Sequence, residues 1–274
     1  MKSSSRHRHT LQSMHSAGRS DTSLRDISLF LSDYAAWLLG CGATCIRLEQ
    51  NINRMAAVWD CHAVMTILPR HIHMTVSSDD HSESYTYITA TSPVGINFDL
   101  NTRLSRLSWE VADGKTGFRS AVRQFAEITA TPRRPALQVS LMASVANASF
   151  CRLFGGDWIA MLTVFLATLA GICLRNLLIS MRVDVRVAFA ICAFVSALAG
   201  GGAGVVSLGS TPDIAVATSV LYLVPGIPFL NSFSDLIAGH YICSFSRFIH
   251  AVVLTSCLSI GLCAALLLMH RGMF

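Results

Sequence analysis

Five apolar stretches fill the second half of this 274-residue chain, at 135–151, 158–174, 187–212, 214–234 and 248–270, each bounded by charged residues. A bilayer core about 30 Å thick needs about 20 apolar residues in a helix, and about 17 is the lower end of the usual range. The last three stretches meet this outright. The second does so if Arg175, near its end, snorkels to the headgroups. The first, interrupted by Asn147, does so if it runs on through Arg152 to Phe154. The expectation is an α-helical integral membrane protein with five transmembrane helices, at about 136–154, 158–179, 187–208, 213–231 and 248–270. Four spans is the alternative.

The charges divide the same way. Residues 1–136 carry 27 charged side chains and residues 137–274 carry 10, so the first half is built for water and the second for lipid. Three segments follow: a tail at 1–23, a soluble α+β domain at 24–134 and a transmembrane domain at 135–274. The tail, rich in Ser, His and Arg, has no apolar run of the kind a secretory signal requires and reads as disordered. Of the 21 basic residues 19 are Arg, scattered rather than aligned, so no nucleic-acid partner is expected.

The α+β domain shows in its periods. Leu24, Ile27, Leu31, Tyr34, Ala35 and Leu38 share one helical face, and Gly40 and Gly42 end that run. Thr44 can cap a second helix through Ala57. At 70–77, Ile72, Met74 and Val76 alternate with His71, His73 and Thr75, the repeat of a half-buried strand. Flanking strands at 62–68 and 85–90 complete a three-stranded antiparallel sheet, and helices near 99–112 and 117–129 follow.

Five of the nine cysteines (Cys151, Cys173, Cys192, Cys257 and Cys263) lie in apolar stretches, where Cys acts as a small hydrophobe. Cys41 and Cys45 are one helical turn apart with no His at ligand spacing. His71 and His73 lack a closed ligand set. No metal and no cofactor is expected.

Basic loops set the orientation. Arg119, Arg123, Arg133 and Arg134 precede the first span, Arg175, Arg182 and Arg186 surround the turn after the second, and Arg247 precedes the fifth. The opposite loops, FGGD and LGSTPD, have no Lys or Arg. By the positive-inside rule the N-terminal domain is cytoplasmic and the C-terminus is outside.

Within the spans, the fourth is the most informative: LVPGIPFLNSFSD. Pro225 and Pro228 each remove a backbone donor and Gly226 loosens the chain between them, so the helix should break there. Broken helices supply substrate and ion sites in transporters, and they also merely fit neighbours. Asn231, Ser232, Asp235 and His240 follow in a polar stretch read as the inner mouth, with Arg247 beyond. Arg175 is the cation placed to meet an anionic substrate, and Asn147 can hydrogen-bond a substrate or another helix. Gly200 and Gly204 have small-xxx-small spacing suited to close helix packing. Asp157 and Asp213 look like helix caps.

These residues carry a resemblance. LLGCGATCIRLEQNINRMA at Leu38–Ala56, FGGDW at Phe154–Trp158 and TPDIAVATSVLYLVPGIPFLNSFSDLIAGHYICSFSRF at Thr211–Phe248 are similar to the bacterial threonine/serine exporter family, from about Leu31 to Met269. The LVPG-x-P-x-x-N-x-x-x-D pattern is long and specific. Within the family the chain resembles half-length, five-span inner-membrane subunits implicated in succinate export, which work with a separate small membrane partner. The resemblance implies a transporter rather than an enzyme, with a small carboxylate as substrate. It also marks Gly42, Arg47 and Glu49 as a shared motif of the soluble domain with no catalytic role attached. In a threonine/serine exporter, the alternative, Asp235 would hold the ammonium group. A membrane sensor or scaffold that moves no solute is the other alternative. Proton coupling would fall to Asp235 and His240.

Overall fold

The computed structural model describes residues 23–92, 94–132, 135–205 and 210–271; the tail at 1–22 and the Arg133–Arg134 pair lie outside the described residues. The described chain gathers into two compact units. One comprises the residues through Pro132 together with Leu230–Arg247, and the other spans Arg133–Phe229 and continues from Phe248. The first unit thus takes in a segment that sequence alone placed at a membrane mouth.

In the first unit, helix α1 (Leu24–Gly40) starts where the Ser23 side chain accepts the Asp26 amide and stops at Gly40. A Cβ at Gly40 would overlap the Ser92 backbone. Gly42 takes φ +93°, a conformation glycine adopts without strain. Thr44 then caps α2 (Cys45–Val58) by accepting the Arg47 amide. Strands β1 (Cys61–Ile67), β2 (His71–Ser78) and β3 (Ser84–Ala90) form an antiparallel meander in that order. Ile72, Met74 and Val76 point into the core, whereas His71 and His73 are exposed on the outer face. Helices α3 (Phe98–Ala112) and α4 (Phe118–Ala130) close the core. Phe30 sits at its centre with its ring edge-on to Trp59, Phe118 and Phe125 at 5.6–5.7 Å. Tyr34, fully buried, donates to the Leu104 carbonyl at 2.8 Å and accepts from Asn51 at 3.1 Å, so its burial leaves no unpaired hydroxyl.

The second unit is helical: α5 (Ala136–Leu153), α6 (Trp158–Ser180), α7 (Val185–Val205), α8 (Pro212–Ser219), a 3₁₀ turn (Leu221–Leu223), the start of α9 (Gly226–Ile237) and most of α10 (Tyr241–Arg271). Helices α6, α7 and α10 contain runs long and apolar enough to cross a membrane. The pair α8–α9, bent by 59° at its break, meets the same measure only when its two helices are taken together, as a broken span or a re-entrant turn. Helix α5 does not reach that measure. Its buried stripe is Ser140, Ser144, Asn147, Ala148 and Cys151, which dilutes its composition, while Leu137, Val139, Met142, Val145 and Phe150 are exposed.

Three local expectations are corrected. The break lies at Val220–Pro225, and Pro228 sits inside the first turn of α9, where a helix needs no amide donor. Asp213 is not a cap: Thr211 holds that position, Pro212 opens α8, and Asp213 lies in the first turn. Helix α10 begins seven residues before the expected 248, so Arg247 is helical. Asp157 does cap α6. It accepts the Ala160 amide at 2.7 Å and the Ser210 amide at 2.6 Å, and these donors hold its carboxyl below the usual range.

Candidate functional site

Two polar clusters hold the candidate residues, one in each unit. In the second unit, the end of α8 exposes carbonyls that the break leaves without helical partners. Asn147 reaches from α5 and donates to the Thr218 carbonyl at 3.0 Å and to the Thr168 hydroxyl of α6 at 2.6 Å. The side chain is buried, and the Thr218 carbonyl, which also accepts the Val220 amide, thereby gains a second donor inside an apolar unit. Asn147 and the broken helix, read separately from the sequence, are one construction.

Tyr222, in the 3₁₀ turn just before Pro225, brings its hydroxyl to 3.0 Å from the Ser196 hydroxyl of α7. Ser196 in turn donates to the Ala167 carbonyl at 3.5 Å. Gly171 makes room for this meeting, since a Cβ there would overlap both hydroxyls. Thr168, Gly171 and Arg175 recur along one stripe of α6. The Arg175 guanidinium lies 5.6 Å from the Phe189 ring, and its buried Nε has no hydrogen-bond partner among the described residues. Gly200 serves packing: a Cβ there would press to 2.8 Å on Ser219.

The cluster in the first unit surrounds the CGAT turn. Asn231 of α9 donates to the Gly42 carbonyl at 2.9 Å, and Arg247 of α10 donates to the Ala43 carbonyl at 2.8 Å. Asp235 is fully buried. One of its oxygens accepts the Cys45 amide at 2.8 Å, at the N-terminus of α2, and the other lies 3.1 Å from Arg247 Nη1. A helix N-terminus and a guanidinium are the two partners that stabilise a buried carboxylate best. Ser232 and Ser244 donate to each other's carbonyls, both at 2.8 Å, and tie α9 to α10. His240 Nε2 stands 3.4 Å from Glu49 Oε2. Gly42 therefore meets Asn231 and Glu49 meets His240, whereas Arg47 turns away to Asn101 of α3 at 3.1 Å.

Sequence reading missed Tyr222, Ser196, Thr168 and Ser244. A lone hydroxyl in an apolar run carries no periodic signal, and only its partner gives it meaning. Among the described residues, no group of three or more His, Cys, Asp or Glu is placed to hold a metal ion.

Membrane-length helices, a broken apolar pair and a hydrogen-bonded polar core define a helical integral membrane protein with the build of a transporter. The chain belongs to the threonine/serine exporter family: residues 30–269 match the family model described as "Putative threonine/serine exporter". Members of that family are transporters, not enzymes. The chain is 27% identical over 233 residues to the "Probable succinate transporter subunit YjjP" of Klebsiella aerogenes, covering 85% of this chain and 90% of that one. It is 29% identical over 173 residues to the protein of the same name in Escherichia coli K12, covering 63% and 67%. No solved structure matches the chain.

Proposed function

We propose that the chain is an inner-membrane transporter subunit that exports a small carboxylate of the succinate type together with a second, small membrane protein. The observation that carries this reading is Arg175, a cation in an apolar helix whose buried Nε has no hydrogen-bond partner among the described residues. Charges in such helices are costly and mark substrate pathways, and an unused donor on a guanidinium suits a carboxylate oxygen. The relatives' names, each a succinate transporter subunit, supply the substrate class and the need for a partner.

Five spans, a cytoplasmic N-terminal domain and an outer C-terminus complete the proposal. Support for α5 as a span comes from its two faces. Ser140 and Ser144 each donate to the carbonyl four residues back at 2.8 Å, and the Asn147 amide nitrogen donates to two partners, so these donors need no water. The face left for lipid is Leu137, Val139, Met142 and Val145. In this reading Arg175 and Asn147 line the substrate path, Pro225 and Gly226, at the junction of the break and α9, form the hinge of the gate, and Asn231, Asp235 and Arg247 hold the segment beyond it.

Export of threonine or serine is the competing reading. A zwitterion needs a carboxylate for its ammonium group, and Asp235 already faces the Cys45 amide and Arg247.

The test is efflux of labelled succinate and labelled threonine from cells lacking the chain, restored with the wild type or with Arg175→Ala. Succinate efflux restored by the wild type alone supports the proposal. Threonine efflux alone supports the competing reading, and unchanged efflux of both solutes leaves the sensor reading.

A further inference from the structure

The segment Leu230–Arg247 packs with the first unit, while the chain enters it from the break at Val220–Pro225 and leaves it along α10, both in the second unit. Its hold on the first unit is almost wholly polar. Asn231 and Arg247 bind the carbonyls of Gly42 and Ala43, Asp235 binds the Cys45 amide, and only Cys243 enters the apolar core. Leu230, Phe233, Ile237 and Phe245 are exposed instead. An apolar seat would be permanent. Hydrogen bonds to the CGAT turn and the approach of His240 to Glu49 resemble contacts between parts that separate and rejoin, because water replaces each of them on release.

We infer that the CGAT turn and the Asp235–Arg247 pair form a releasable latch, through which the N-terminal domain sets the position of the broken helix during transport. Asp235 and Arg247 are positioning residues. They act through α9, whose first residues follow the break directly, and neither has to touch the substrate. The inference rests on the proposed transport activity but not on which solute is moved.

The protein carries its own probe. Cys45, whose own amide binds Asp235, and Cys243, which donates to the Ile67 carbonyl, are buried thiols of the same core cluster at the latch. A diazene oxidant such as diamide reaches them only when the latch opens. It removes both thiol protons and two electrons, leaving one Cys45–Cys243 disulfide and the reduced hydrazine.

The experiment uses the full chain in liposomes with its partner subunit and labelled succinate. Diamide is expected to form the disulfide, detected by mass spectrometry, and to stop transport. A dithiol reductant restores it, and Cys243→Ser protein is resistant. Asp235→Asn and Arg247→Gln are expected to speed disulfide formation and to lower turnover with KM unchanged. A substrate-binding role would instead raise KM. Absence of the disulfide would overturn the inference, since the latch then never opens. So would a cross-linked protein that transports at the wild-type rate. If the unmodified protein moves no succinate, the substrate assignment falls, and the rate of disulfide formation in the two variants still decides for or against the latch.

Discussion

Asn147 and Thr218, 71 residues apart, are joined by a 3.0 Å hydrogen bond from the Asn147 amide to the Thr218 carbonyl, next to the break in the α8–α9 pair. That bond makes an irregular backbone tolerable where no water reaches it. Replacing Asn147 with Leu leaves the Thr218 carbonyl with the Val220 amide alone and removes the donor to the Thr168 hydroxyl. The loss of two buried hydrogen bonds costs about 1–3 kcal/mol. The expected outcome is a lower melting temperature in detergent and weaker efflux. A melting temperature equal to the wild type would show that the break is satisfied in another way.

Gly171 and Tyr222 give a second prediction. A methyl group at Gly171 would collide with the Tyr222 and Ser196 hydroxyls, and overpacking of this kind costs about 1–3 kcal/mol. Gly171→Ala is expected to destabilise the protein. Adding Tyr222→Phe removes one of the colliding oxygens, so the double variant should recover part of the loss. Strict additivity of the two substitutions in a double-mutant cycle would contradict the contact.

Arg175 distinguishes charge from shape. Lys keeps the cation but loses the forked donors, so Arg175→Lys should retain part of the efflux and Arg175→Gln almost none. Initial efflux rates at several internal succinate concentrations provide the measurement. Equal loss in both variants would point to geometry, and no loss in either would remove Arg175 from the path.

Thiol chemistry gives a pH prediction. Burial pushes the Cys41 thiol up to about 12 and the Cys61 thiol up to about 11, from an ordinary value of 9.0. The folded state therefore keeps its protons where the unfolded chain begins to lose them. The stabilisation this represents is whole below pH 9 and declines as pH rises through 9 toward 12. Melting temperature should fall over that window, and less steeply in a Cys41→Ala variant. A fall beginning well below pH 8 would implicate other groups. Alkylation of Cys41 and Cys61 in the native protein should be slow at neutral pH.

Much of the local structure was legible in the residues. Alternation of Ile72, Met74 and Val76 with His71 and His73 gave the central strand, and Thr44 after Gly42 marked the start of α2. The doublet Pro225–Gly226 announced a break, though not that Pro228 would fall harmlessly within the next helix. Of the candidate site residues, Asn147, Arg175, Asp235 and Arg247 stood out because polar groups are expensive in apolar surroundings. Tyr222 and Ser196 did not, since hydroxyls are common in such runs and only a facing partner distinguishes them.

What the sequence determined by itself was periodicity, apolar length and chain-breaking residues, all properties of neighbours within a turn or two of one another. The tertiary structure alone decided the pairings. Asn147 found the Thr218 carbonyl, and Asp235 and Arg247 crossed some 190 and 204 residues to the Cys45 amide and the Ala43 carbonyl. The reason is physical. A buried polar atom must find a partner, but which partner depends on where the packed helices bring it, and local spacing holds no record of that.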